Sequence, residues 1–183
     1  MQKYDEYLIK TKDFLPLYSQ NGREMTERPP IFLYTDGAAS GNPGPGGYGV
    51  VLQCAGREKE LSGGYSLTTN NRMELLAVIK GLEAIRWHNA TVEVWSDSTY
   101  VVKAVTEGWL ENWERKGFKK VKNPDLWQRF LQLYRRHDVR FHWLKGHAGH
   151  PLNERCDALA VAAYHQGDLP ADEGYENQMS SLI

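Results

Sequence analysis

The run Ile31-Phe32-Leu33-Tyr34 is continuously apolar or aromatic and ends on Thr35 and Asp36, which predicts a strand over 31–36. Two further strands are expected at about 48–54 and about 59–66, with glycine and proline separating the first pair and Gly56-Arg57-Glu58 the second. Such links suit antiparallel hairpins. Met73, Leu76, Ile79 and Leu82–Ala84 then recur at helical spacing, predicting a helix over 70–87 with Asn70 or Asn71 able to cap it. TVEVWSD alternates and predicts a strand over 91–97, followed by a helix from Ser98 to about Glu107. Residues 123–137 and 151–165 are expected as helices, each with a proline (Pro124, Pro151) in its first turn, and 139–144 lie between them as a strand. A shorter helical stretch precedes residue 123. Strand–helix–strand connections require some parallel pairing. The fold class is therefore α/β, a mixed sheet with helices packed on it.

Composition narrows this little. The chain has 183 residues, 41% of them hydrophobic, and a formal charge of −1, which points to no particular partner. The distribution is more telling: residues 31–165 carry 17 basic and 14 acidic side chains, whereas 166–183 carry 4 acidic and no basic ones. With the breaker run Glu27-Arg28-Pro29-Pro30, this divides the chain into an N-terminal extension (1–30), a main domain (31–165) and an acidic C-terminal tail (166–183). Negative charge should keep the tail away from nucleic acid, so its removal is expected to change little. Cys54 and Cys156 fit neither zinc nor disulfide spacing and are expected as reduced, buried thiols. Acids appear by the sixth residue and no run nears about 18 apolar residues. A cytoplasmic protein with no membrane span is expected, with a monomer as the expected state.

Asp36 and Asp97 each close a strand, where ligands of open α/β sheets collect. Glu74 sits near the start of the 70–87 helix. Asp157 lies on the last helix, one turn beyond Asn153 and Glu154. Singly, each acid has an ordinary explanation: Asp36-Gly37 as a turn, Glu74 near a helix dipole, Asp97 as a helix cap, Asp157 as a solvated residue. Gathered in one pocket they would raise each other's pKa, a conflict that a hard divalent cation removes; oxygen-only donors favour Mg²⁺ or Mn²⁺ over zinc. His147 and His150 form H-x-x-H without a third ligand, so zinc is not expected there and His150 reads as structural. The basic run Arg115–Lys122 is interleaved with aromatics, a pattern that suits a grip on a nucleic-acid backbone.

Four blocks in this order, YTDGAASGNPGPGGYGVVL, TTNNRMELLAVIKGLEA, SDSTYVV and WLKGHAGHPLNERCDALA, closely resemble bacterial type 1 ribonuclease H over about residues 31–165. The resemblance implies a ribonuclease H-like five-stranded sheet, three antiparallel strands followed by parallel ones. It implies a metal site of Asp36, Glu74, Asp97 and Asp157 holding two Mg²⁺ ions, with Mn²⁺ as substitute. It also implies endonucleolytic cleavage of the RNA strand of an RNA–DNA hybrid, leaving 5′-phosphate and 3′-hydroxyl ends. His147 would lie on a loop over the site and assist proton transfer or product release, helped by Glu154. Asn42, Asn70 and Asn71 would contact the hybrid's minor groove, where 2′-hydroxyls are displayed, and the GAASGNPGPGG turn would bring bare backbone close to it. Lys116, Lys119, Lys120, Trp109 and Trp127 would hold the DNA strand. The chain departs from the family pattern in a shorter loop after KGF, an extra residue between Thr106 and Trp109, Thr99 in place of a glutamine, and Ala39 where a cysteine can stand. The competing expectations are a non-cleaving hybrid-binding module and a metal nuclease for another nucleic acid.

Overall fold

The computed structural model describes residues 28–180. All but the last three residues of the expected extension, 1–30, lie outside them. The elements in chain order are β1 (Ile31–Ala39), β2 (Gly44–Cys54), β3 (Arg57–Thr68), α1 (Asn70–Glu83), β4 (Thr91–Ser96), α2 (Thr99–Thr106), α3 (Trp109–Arg115), α4 (Pro124–Tyr134), β5 (Asp138–Trp143), α5 (Pro151–Tyr164) and α6 (Glu173–Ser180). The sheet order is β3-β2-β1-β4-β5. β1 pairs antiparallel with β2, and β2 with β3, while β1–β4 and β4–β5 are parallel. The expected mixed five-stranded sheet is present.

The β2–β3 hairpin turns at Ala55-Gly56, both with positive φ (50° and 75°), not at Gly56–Glu58. A two-residue loop with this handedness matches the strand twist, so β3 begins at Arg57, two residues earlier than expected. Helix α1 ends at Glu83, four residues before the expected end. The chain must turn into β4, and it does so through Asn89 in the left-handed region with its N–H on the Arg136 carbonyl at 2.8 Å. Residues Arg72–Ile79, Gly81 and Leu82 of α1 are all buried, so this helix is enclosed on nearly every side between the sheet and α4. The buried side chains of β1, β2, β4, α1, α2 and α4 form one continuous core.

The glycine-rich segment forms a shorter turn than expected. Only residues 40–43 form a turn; Gly44–Gly49 belong to β2. A Cβ placed on Gly49 would lie 2.0 Å from the Cys156 carbonyl oxygen, and one on Gly47 2.3 Å from that of Ala160. These glycines let the backbone of α5 lie directly on the sheet. Gly49→Ala is accordingly expected to destabilise the fold by about 2 kcal/mol, read as a lower denaturant midpoint; an unchanged midpoint would show that α5 can lift without cost.

The segment expected as a dispensable acidic tail contains a residue built into the fold. Asp172 is buried, takes the Arg72 guanidinium on both oxygens (Nε–Oδ2 2.8 Å, Nη2–Oδ1 2.9 Å) and accepts from the Thr68 hydroxyl at 2.6 Å. Arg72 also forms two bonds to Asp125, 2.8 and 2.9 Å, at the start of α4. Burial works against the Arg72 charge, but these two carboxylates outweigh it and push its pKa up. Cys54 and Cys156 are free and buried, as expected.

Candidate metal centre

Each ordinary explanation of the cluster acids fails against the local structure. Asp36 is not in a turn: β1 continues to Ala39, and Asp36 Oδ1 accepts from the Gly37 N–H at 2.8 Å. Glu74 is beyond the first turn of α1, whose cap is Thr69, accepting from the Arg72 N–H at 3.4 Å. Asp97 does not cap α2, because the Ser98 hydroxyl does so by accepting from the Val101 N–H at 3.3 Å. The three carboxylates are left free to converge, and Asp36, Glu74 and Asp97 each bring an oxygen within 4.8 Å of the others.

Gly37 makes this approach possible. A Cβ there would stand 2.2 Å from the Glu74 backbone nitrogen and 2.4 Å from the Met73 carbonyl carbon. The missing side chain is the gap through which the start of α1 presses on β1 and brings Glu74 beside Asp36. The turn before β2 is tied to the same helix end: Asn42 Oδ1 accepts from the Asn70 N–H at 3.3 Å, and Asn70 Nδ2 reaches Glu74 Oε1 at 3.4 Å. Asn42, Asn70 and Glu74 thus form one chain of contacts, while Asn71 is exposed on the next position.

Asp36 and Glu74 are only 6% and 7% exposed, and the electrostatics follow. Burial first, then the nearby Asp97 and Asp157, raise the Asp36 pKa to about 7, against the Gly37 hydrogen bond. Burial, with Asp36 and Asp97 adding to it, raises Glu74 well above the carboxylate range. One Glu74 oxygen, Oε2, is buried without a hydrogen-bond partner. Oxygen-only donors, mutual repulsion and an orphaned buried carboxylate oxygen all fit a hard divalent cation. Asp157, half-buried on α5, stands outside the triad but close enough to act on Asp36.

This has a consequence for stability. Without metal, folded Asp36 holds its proton up to about pH 7, whereas the unfolded side chain releases it near pH 4. The folded state therefore binds more protons between these values, and stability falls as pH rises through that window. Asp36→Asn in EDTA is expected to be more stable than the wild type at pH 8, by about 4 kcal/mol, and nearly equal to it at pH 4. Thermal unfolding at the two pH values checks this; equal melting at pH 8 would contradict the strained cluster.

The remaining candidate residues are placed as follows. Gly146 abuts the third acid: a Cβ there would lie 2.6 Å from Asp97 Oδ2, which puts the loop carrying His147 against the cluster. His147 itself is exposed with φ 51°. Glu154 is exposed in the first turn of α5. His150 precedes α5 and stacks on Tyr34 at 5.4 Å, a structural role as expected. Lys116, Lys119 and Lys120 are exposed between α3 and α4, and Trp109 is partly exposed beside them. Trp127 is a correction. It is 0% exposed, donates from Nε1 to the Tyr100 hydroxyl at 2.7 Å and packs edge-on to Trp113 and Phe130, so it supports the basic segment from inside and cannot meet a ligand. Its position on the apolar face of α4, with Leu126, Phe130 and Leu133, was the available signal.

One residue of the site carried no role in the sequence. Asn153, 3% exposed, donates from Nδ2 to Asp97 Oδ2 at 3.2 Å. It holds Asp97 from α5, and an asparagine one turn before Asp157 was the only hint.

Comparison with known proteins agrees with this geometry. The family model for RNase H matches residues 28–165. A ribonuclease H of Desulforamulus reducens is 54% identical over 157 residues, covering 83% of this chain and 98% of its own. One from Syntrophus aciditrophicus is 55% identical over 150 residues, covering 79% and 86%. Among solved structures, LC9-RNase H1, described as a type 1 RNase H with the type 2 active-site motif, superposes with a TM-score of 0.70 at 31% identity, covering 83% of this chain and 82% of its own. LC11-RNase H1, solved in complex with RNA/DNA hybrid, gives 0.53 at 30% identity, covering 73% and 96%. With a matched family model over most of its length and relatives above half identical, the chain belongs to the ribonuclease H family and is an enzyme of that family.

Proposed function

We propose that this enzyme cuts the RNA strand of RNA–DNA hybrids endonucleolytically, using two Mg²⁺ ions, or Mn²⁺ in their place, and leaving 5′-phosphate and 3′-hydroxyl ends. The observation that carries this is the convergence of Asp36, Glu74 and Asp97 within 4.8 Å, in a protein of this family. Asp36, Glu74, Asp97 and, from α5, Asp157 would hold the ions. Bound there, they would supply an activated water and charge stabilisation at the scissile phosphate. The protein's own groups do the rest. Asn153 and Gly146 fix the Asp97 carboxylate; Asn70 steadies Glu74 from the turn of α1. Asn42, Asn70 and Asn71 lie at the helix end beside the cluster, where short polar groups suit the wide groove of a hybrid and its 2′-hydroxyls. Lys116, Lys119 and Lys120 offer exposed positive charge for the DNA strand. His147, next to the Gly146 that abuts Asp97, would carry a proton or clear product, helped by Glu154 from the first turn of α5.

No helix among the described residues is long and apolar enough to cross a membrane. The test is a labelled RNA–DNA hybrid offered beside double-stranded DNA and double-stranded RNA, with Mg²⁺, with Mn²⁺ and in EDTA. Cleavage confined to the RNA of the hybrid and dependent on metal is the expected result. Binding without cleavage would mark a hybrid-holding module, and cleavage of another duplex a different nuclease.

A further inference from the structure

In the row Val139, Phe141, Trp143 on one face of β5, the first two side chains join the core. Trp143 ends the row as the last residue of the strand and is 54% exposed, more than any other large hydrophobic residue described. Most of the other tryptophans have ring partners: Trp95 stacks on Tyr34 and His142, and Trp109, Trp113 and Trp127 pack on one another. No stacking partner for Trp143 occurs among the described residues.

An exposed indole is normally free to turn, but this one is fixed. Its single polar atom, Nε1, donates to the backbone carbonyl of Asp97 at 3.2 Å. The strand beneath is also anchored, with Ser96 opposite Trp143 and the Leu144 N–H on the Ser96 carbonyl at 2.9 Å. What remains open to solvent is therefore largely hydrocarbon surface, held rigidly at the carboxyl end of the parallel strands and bonded to the residue that supplies one of the cluster carboxylates. A ring already immobilised loses little entropy when something packs on it. A nucleotide presents a matching apolar surface in its base and the carbon side of its sugar.

We propose that Trp143 is a substrate-contact residue, its exposed indole face packing on a nucleotide of the RNA strand next to the phosphate at the carboxylates. This rests on the hybrid-cleaving function proposed above. The RNA strand is the occupant because the ring is attached to Asp97, and Asp97 belongs to the cluster at which that strand is cut.

Kinetics of hybrid cleavage by Trp143→Ala and Trp143→Phe test it. Trp143→Ala is expected to raise KM about tenfold, with kcat within about threefold and an unchanged melting temperature. Trp143→Phe keeps an aromatic ring but loses the N–H and part of the stacking surface, and should restore part of the affinity that Trp143→Ala loses. An unchanged KM in Trp143→Ala, a loss confined to kcat, or Trp143→Phe as impaired as Trp143→Ala would overturn the contact. A second measurement needs no variant: in EDTA, where hybrid is not cut, hydroxyl-radical oxidation of Trp143 in the wild type, read by mass spectrometry, should slow on adding hybrid. Undiminished oxidation at saturating hybrid also overturns the contact. A wild type that fails to cut hybrid at all would instead defeat the function, and the shielding measurement would still decide Trp143.

Discussion

Asp97→Asn is expected to abolish hybrid cleavage, by about 10³-fold or more, while the protein stays folded and still binds hybrid. The substitution is nearly isosteric and removes one negative charge from the place where three carboxylates meet. Nothing that shapes the fold depends on that charge. Ser98 caps α2, the Trp143 indole bonds to the Asp97 backbone carbonyl, and β4 pairs with β5 through residues 91–96. What is lost is a hard oxygen donor for the ions and the acceptor that Asn153 and the close-packed Gly146 have been placed to orient. Initial rates on labelled hybrid measure the loss. Circular dichroism and a mobility-shift assay check folding and binding, and calorimetric titration with Mg²⁺ or Mn²⁺ should show weaker uptake. Cleavage at the normal rate would remove Asp97 from the metal site.

The second large effect concerns stability. Asp172→Ala, or a chain ended after residue 165, should lose about 3–5 kcal/mol, the cost of breaking a buried ion pair by removing one partner. Arg72 is 2% exposed, and without Asp172 its Nε–H has no acceptor while Thr68 loses the partner of its hydroxyl. Asp125 cannot compensate, because it already takes Nη1 and Nη2. Activity should fall as well, since Arg72 sits two residues before Glu74 and one after Asn71 on the first turns of α1. Chemical denaturation measures the first effect, and hybrid cleavage at a temperature where the variant is still folded measures the second. A truncated chain of unaltered midpoint would restore the expectation that this segment is dispensable.

The strand positions, the mixed pairing and the choice of Asp36 and Asp97 as candidates were legible because they depend on local signals: an apolar run ending on an acid, alternation in 91–97, prolines opening two helices. Features that depend on depth were not. Trp127 and Trp109 flank the same basic segment, and composition near a lysine cluster does not reveal that one ring turns inward against Tyr100 and Phe130 while the other faces out. Gly47 and Gly49 look like turn residues unless it is known that α5 crosses above them. Asp172 reads as one acid among four in a polar stretch, because its partner Arg72 is 100 positions earlier. Burial and long-range pairing are properties of the folded chain, and a local pattern carries no record of them.

The bond between Arg72 and Asp172 also bears on how the protein is made. Synthesis proceeds from the N-terminus, so α1 (Asn70–Glu83) leaves the ribosome well before residue 172 is made. Asp125 emerges in between and can neutralise the Arg72 charge, but the acceptor for its Nε–H lies 100 residues after Arg72 and arrives later still. A nascent chain that has exposed α1 but not yet Asp172 therefore holds one buried cation incompletely satisfied, and that helix end settles only once Asp172 reaches it.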